Sequence, residues 1–332
     1  MQRVVTKLFV MICFVMVSPW VAHAAEGRLT LSLPIGCELG VTCWIPNYVD
    51  LKPGKGVVDY TCGDATYDAP PGDQHKGTDF AVRDMAAVRN GVPVFAAAAG
   101  KVVGVRDGMA DVGGTVSNWE CGNGLRIDHD NGLTTQYCHM RRDSVLPKIG
   151  DRVERGQQLG LVGLSGQTAF PHLHFQVERD KDIIDPFAGL DRKKQCGVGE
   201  KTLWDTQTLA QVPYQPTAIY NAGFAPQKPD LKLIRDGQYH DRLFDATAVA
   251  MVVWAELFRV RAGDEIVIEI TDPAGAHIHK QRIEIKAKKA RYYAFSGLRL
   301  KALKWRSGTY RGKVTLIRKT ENFSVIRQVE VR

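Results

Sequence analysis

Three short stretches far apart in the chain, His75-Lys76-Gly77-Thr78-Asp79, Tyr137-Cys138-His139 and His172-Leu173-His174, together supply one carboxylate and four histidines. A chain that uses them jointly must fold so that three remote segments lie side by side. Zinc in a catalytic site takes three protein ligands and leaves one position open, with a further imidazole available for proton transfer. These residues are the ligand and acid/base set of one such site. His75 and Asp79 are four apart with Gly77 between them, and Phe80-Ala81-Val82 follows. That pattern predicts a loop entering a strand, where positions i and i+4 share a face. His172 and His174 are two apart ahead of the strand-like Phe175-Gln176-Val177, so both are expected on one side of a sheet. Of the nine histidines, His129, His240, His277 and His279 are assigned no role. The His277/His279 pair has no accompanying carboxylate motif.

The surrounding sequence reads as mainly β. From Leu29 to about Asp185, short runs such as Val92 to Ala96, Lys101 to Val105 and Leu161 to Val162 are punctuated by glycine, which predicts an antiparallel sheet. Leu125 to Leu133 reads as a strand, an Asp130-Asn131-Gly132 turn and a return strand ending at His139. Residues 211–230 contain Pro213, Pro216, Pro226 and Pro229 without apolar periodicity, and are expected to be a linker or an extended crossing segment. Beyond it, residues 246–257, 265–271, 281–285, 309–317 and 324–331 alternate or are β-branched, suggesting an Ig-like β-sandwich. The expected organisation is a segment 1–24 that is removed, a domain carrying the metal-site motifs over 25–204, the linker 205–230, and a basic β-sandwich over 231–332.

Residues 1–24 have the layout of a signal peptide. Arg3 and Lys7 precede an apolar run from Leu8 to Val17, and Ala22-His23-Ala24 forms a small-residue cleavage site. No later stretch reaches the roughly 18 apolar residues of a membrane span. Export to the periplasm or beyond is therefore expected. Six cysteines then remain, Cys37, Cys43, Cys62, Cys121, Cys138 and Cys196, and an even count in an oxidising compartment predicts disulfides. Folding the hairpin at Asp130/Asn131 brings Cys121 opposite Cys138. Cys37 and Cys43 can close a local loop, which leaves Cys62 for Cys196 by elimination.

Charge is uneven along the chain. Residues 205–332 hold 22 Lys and Arg against 13 Asp and Glu, a net of +9, which leaves −1 for residues 1–204. An exported protein rarely meets nucleic acid, so an anionic envelope polymer is the preferred explanation, with a solvated basic surface as the plain alternative.

Four blocks resemble the successive motifs of the lysostaphin/LytM-type zinc endopeptidases: His75 to Asp79, Gly122-Asn123-Gly124-Leu125-Arg126-Ile127-Asp128-His129, Thr135-Gln136-Tyr137-Cys138-His139 and Ser165 to Phe175. The resemblance covers about residues 60–190. The segment Cys37 to Cys62 is similar to the entry region of exported proteobacterial members. The resemblance implies an antiparallel β-sheet fold and one Zn2+ per chain held by His75, Asp79 and His174. It also implies a catalytic pair His139 and His172, and hydrolysis of peptide bonds in peptidoglycan cross-links or stem peptides by a metal-activated water. Which histidine moves the proton and which stabilises the oxyanion is open. Tyr67 and Asn123 are candidates for oxyanion or substrate contact. The alternative is a catalytically silent wall-binding regulator of another hydrolase, although all five positions are filled here. Expected partners are peptidoglycan and, through the C-terminal domain, an envelope protein.

Overall fold

The computed structural model describes residues 29–332 apart from 70–72, 115–117, 131, 191–195, 241 and 320. The expected signal segment lies outside the described residues. The first half contains β1 (Cys43–Asn47), β2 (Asp68–Ala69), β3 (Asp73–Gln74), β4 (Gly77–Val82), α1 (Met85–Asn90), β5 (Pro93–Phe95) and β6 (Gly100–Arg106). It continues through β7 (Asn123–Asp128), β8 (Leu133–Met140), β9 (Arg152–Val153), β10 (Gln158–Leu161), β11 (His172–Arg179) and β12 (Asp182–Ile184). The second half contains α2 (Thr206–Gln211), β13 (Ala218–Ala225), α3 (Leu231–Asp236), β14 (Leu243–Phe244) and β15 (Ala250–Val260). It ends with β16 (Glu265–Thr271), β17 (His277–Glu284), β18 (Lys289–Arg299), β19 (Gly308–Arg318) and β20 (Glu321–Val331).

The chain is mainly β with antiparallel sheets, as its alternating runs predict. The strands that matter for function lie in one sheet of order β1-β4-β11-β8-β7-β6-β9. Its apolar face builds a first core containing Phe80, Tyr137, Phe175 and Phe187, all fully buried. Each such side chain contributes about 1.5–3 kcal/mol of burial free energy. That core occupies one side of β4, β8 and β11 and leaves the other for chemistry. A second core forms between the sheets β13-β15-β18 and β14-β20-β19-β16-β17, with Val253 and Ala294 from one facing Ile268 and Val314 from the other. β14 and β20 are a parallel pair.

The segment expected to be a linker or an extended crossing segment holds regular structure. Residues 205–230 contain α2 and β13, and β13 pairs along its length with β15. The prolines bracket the strand rather than interrupt it, so the proline-free run Ala218–Ala225 supplies every ladder donor. A third apolar cluster then joins the two cores: Trp44 and Ala81 of the first sheet meet Ala218, Tyr220 and Phe258 of the second half. Tyr220 stacks on Phe258 with ring centroids 3.9 Å apart. β18 was also hidden in the sequence, because Lys286, Lys288, Lys289 and Arg291 give its start a loop-like polarity.

The three disulfides are Cys37–Cys43, Cys62–Cys196 and Cys121–Cys138. This matches the pairing expected from the hairpin and, by elimination, for the others.

Candidate metal centre

Four residues on four neighbouring strands form one row across the sheet. Asn47 of β1 is the register partner of Asp79 in β4, Asp79 is the partner of His174 in β11, and His174 is the partner of Cys138 in β8. Directly paired residues point to the same face of a sheet, so the row opens into one cleft of about 1090 Å³. His75, just ahead of β4, and His172, two residues before His174, line it as well. The cleft thus gathers His75, Asp79, His139, His172 and His174.

His139 reaches the cleft by a different device. It follows Cys138, and strict alternation would turn it to the opposite face. Asn123 pairs with Met140 and Leu125 with Tyr137, so Cys138 and His139 together oppose Gly124 in a bulge. His139 takes a left-handed backbone with φ of 62°, and a bulge of this kind re-aims a side chain. Gly124 is required there, since a Cβ at that position would lie 2.0 Å from the Tyr137 carbonyl oxygen.

The outer hydrogen bonds set the imidazole tautomers. Nδ1–H of His75 donates to the Tyr48 carbonyl at 2.7 Å, leaving the Nε2 lone pair for the cleft. The Gln176 amide donates to Glu178, so its Oε1 faces His174 Nε2–H at 3.4 Å and the His174 lone pair is on Nδ1. His75 Nε2, His174 Nδ1 and Asp79 Oδ1 then lie 3.1, 3.2 and 2.9 Å from one another. Three acceptors with no proton among them repel unless a cation sits between them. Their spacing also fits the roughly 3.3 Å edge of a tetrahedron with zinc-ligand bonds of about 2.0–2.1 Å. The donor set therefore fits a zinc ion, with supporting partners on each ligand. His139, His172 and His174 are also close enough to share an ion, but that set lacks a carboxylate, and His174 already turns Nδ1 to Asp79.

His139 and His172 present a different face of the imidazole. Nδ1–H of His139 donates to the Ser165 carbonyl at 2.8 Å, and Nδ1–H of His172 to the Phe170 carbonyl at 2.9 Å. Nε2 of each is left as a base. Nε2 of His172 is buried without a hydrogen-bond partner, 3.3 Å from Asp79 Oδ1. The two rings are 4.6 Å apart. Burial, then the neighbouring His172 and His174, push His139 well below the ordinary imidazole range, so it is neutral at pH 7. Burial alone would raise the Asp79 carboxyl, but positive charge on the neighbouring His75 and His172 imidazoles holds it well below the usual carboxylate range, the part that a bound cation takes when those imidazoles are neutral.

Of the two candidate substrate contacts, Tyr67 lines the cleft and stacks on His75 with centroids 4.4 Å apart. Asn123 is corrected. It is fully buried, its carbonyl accepts from Met109 N, and its amide donates to the carbonyls of Met109 and Met140. Those bonds use its polar groups to pin the loop at Met109 to β8, so none is available to a substrate. His129 is a satisfied core residue between Ala99 O and Thr135 Oγ1. Sequence reasoning missed Asn47, Gln176 and Phe170. Gln176 had a signal, because it stands two residues after His174 and so on the same face. Asn47 had none, since its partner Asp79 is on another strand.

Residues 73–186 match the sequence profile of Peptidase family M23. Over 129 residues the chain is 35% identical to the peptidoglycan DD-endopeptidase ShyB of Vibrio cholerae, covering 39% of this chain and 26% of that protein. It is 34% identical over 134 residues to lysostaphin of Staphylococcus simulans, covering 40% of this chain and 22% of that one. The chain thus spans about a quarter of the length of these relatives. The crystallised catalytic domain of lysostaphin aligns at 30% identity with a TM-score of 0.28, covering 35% of this chain and 78% of the domain. On the match to the family model, residues 73–186 of this chain are a peptidase family M23 domain.

Proposed function

We propose that this protein is a zinc-dependent endopeptidase that hydrolyses peptide bonds in the cross-links or stem peptides of peptidoglycan, acting in the periplasm or outside the cell. The observation that carries this reading is the meeting of His75 Nε2, Asp79 Oδ1 and His174 Nδ1 in a cleft that also holds His139 and His172, each fixed through Nδ1 to a backbone carbonyl. One zinc per chain, held by those three residues, supplies a Lewis acid that lowers the pKa of water to about 7 and polarises an amide carbonyl. His139 and His172 do the proton work and steady the developing oxyanion. Each is fixed by its Nδ1–H bond to a backbone carbonyl, so a proton taken at Nε2 returns to the leaving amine without rotation of the ring. The stacking of Tyr67 on His75 supports a role for its hydroxyl at the oxyanion.

Export is supported by the three disulfides, which persist in oxidising compartments. No described helix is long and apolar enough to cross a membrane. The basic strands of the C-terminal half are assigned to contact with acidic wall polymer or with an envelope protein. Retention of the full chain on sacculi that falls with salt favours the polymer, and salt-insensitive retention or none favours the protein partner.

The experiment uses the chain from Ala25 to Arg332, with disulfides formed and zinc added. It is incubated with purified peptidoglycan, and the released fragments are identified by mass spectrometry with and without chelator. Chelator-sensitive loss of cross-linked fragments is expected and names the bond. Zinc bound without cleavage of any wall type would overturn the enzymatic reading.

A further inference from the structure

Among the second-half residues that line the cleft, Arg259 reaches the hydrogen-bond network behind Asp79. Arg259, near the end of β15, is 6% exposed and carries a left-handed backbone with φ of 49°. Its guanidinium crosses into the first half of the chain. Nε donates to the Pro46 carbonyl, Nη1 to the Asp64 carbonyl at 2.7 Å, and Nη2 to the Thr66 carbonyl at 3.0 Å and to Asn47 Oδ1. The Asn47 amide in turn donates to Asp79 Oδ2 at 2.8 Å.

Resting on the zinc reading above, we infer that Arg259 is a positioning residue for the zinc ligand Asp79, acting through Asn47. The chemistry of the three groups permits only one arrangement. Arginine has donors and no acceptor, and an ionised carboxylate has acceptors and no donor. Asn47 must therefore turn Oδ1 to Arg259 and its NH2 to Asp79, which removes the two-fold ambiguity of an amide. That occupies Oδ2 of Asp79 and leaves Oδ1 to face His75 and His174. A buried guanidinium bonded only to neutral acceptors needs carboxylates near it, and for Arg259 these are Asp64 foremost, with Asp59 and Asp79 beyond it. The same contact explains why the C-terminal sheets are seated beside the cleft, where Phe258, Lys288 and Arg291 line the wall next to Arg259. The peptidase segment 73–186 contains neither Arg259 nor Asn47, so its metal site is completed from outside the family segment.

The test measures the zinc dissociation constant of the full chain from Ala25 to Arg332 by competition with a chromophoric chelator, alongside the thermal midpoint. Arg259→Ala and Asn47→Ala are each expected to weaken zinc by about 10- to 100-fold, the range for loss of a partner behind a ligand. Asn47→Ala is the sharper variant because it leaves the three carbonyl bonds of Arg259 in place and cuts only the path to Asp79. The double variant should bind zinc no more weakly than Asn47→Ala alone. Arg259→Lys, with a single ammonium in place of the fork, should fall between the wild type and Arg259→Ala. Unchanged zinc affinity in Asn47→Ala, or additive losses in the double variant, would reduce Arg259 to a structural clamp and overturn the inference. Should Arg259→Ala not fold, Asn47→Ala and Arg259→Lys decide the matter on their own. A wild-type chain that binds no zinc would instead overturn the reading on which the inference rests.

Discussion

Asp79 and His174 are register partners on adjacent antiparallel strands, and Oδ1 of the first lies 2.9 Å from Nδ1 of the second. The site therefore depends on strand pairing: a one-residue slip of β11 against β4 would send His172 and His174 to the buried face together. The interior packing of Phe80, Leu173 and Phe175 is what forbids that slip, and it links the hydrophobic core directly to ligand geometry.

The four histidines of the cleft should separate into two classes. His75→Ala and His174→Ala are expected to lose zinc. His139→Ala and His172→Ala are expected to retain one zinc per chain while turnover falls by about 10²- to 10⁴-fold, the usual contribution of a positioned acid or base. Metal content by plasma mass spectrometry beside hydrolysis rates checks this, and an unchanged rate in either of the latter pair removes that residue from the mechanism.

Gly77 is needed for space. A Cβ there would lie 2.6 Å from His174 Nε2 and 2.7 Å from the Phe175 carbonyl oxygen. Gly77→Ala should displace His174, costing roughly 1–3 kcal/mol of stability as an overpacked site and weakening zinc binding. Gly104→Ala, whose Cβ would meet nothing closer than 3.8 Å, should do neither. Urea denaturation and chelator competition on both variants make the comparison.

The Cys121–Cys138 disulfide abuts His139, whose amide donates to the Cys121 carbonyl at 2.8 Å. Replacing both cysteines with serine should cost about 2–4 kcal/mol and lower turnover with zinc still bound, since the bulge that aims His139 is loosened. Equal rates for this variant and the wild type would show that the bulge holds without the bond.

Acid sensitivity is expected at the contact between the two halves. Asp84 is buried, caps α1 by accepting from Ala87 N at 3.0 Å, and accepts from Nε2 of His240. Burial alone would raise its pKa, but the bonds from His240 and Ala87 bring it below the ordinary value. A depressed folded pKa means that the stabilisation is complete above the unfolded value of about 3.9 and is lost as pH falls through the folded one. Asp84→Asn keeps an N-cap acceptor and should be less stable than the wild type at pH 7. The gap should close on acidification below about pH 4. Urea midpoints across pH 3–7 for the two proteins test the sign.

The amino-acid sequence by itself determined the donor set. His75, Asp79, His139, His172 and His174 are legible because each sits in a short motif whose spacing states which face of a strand it occupies, and period-two alternation is a local property. The hairpin turn likewise made Cys121–Cys138 readable. What lay beyond the sequence was whatever depends on partners from other strands. Asn47 joins the site only because β1 pairs with β4, and Arg259 only because a strand more than 200 residues away ends beside β1. Asn123, drawn from a conspicuous motif, proved to be a buried brace, since a motif does not say where its hydrogen bonds are spent. β13 was hidden between prolines because proline content signals a break without saying whether it falls inside a strand or at its ends. Local spacing fixes side-chain direction along one segment, whereas tertiary packing alone decides which segments share a row and which charges meet across it.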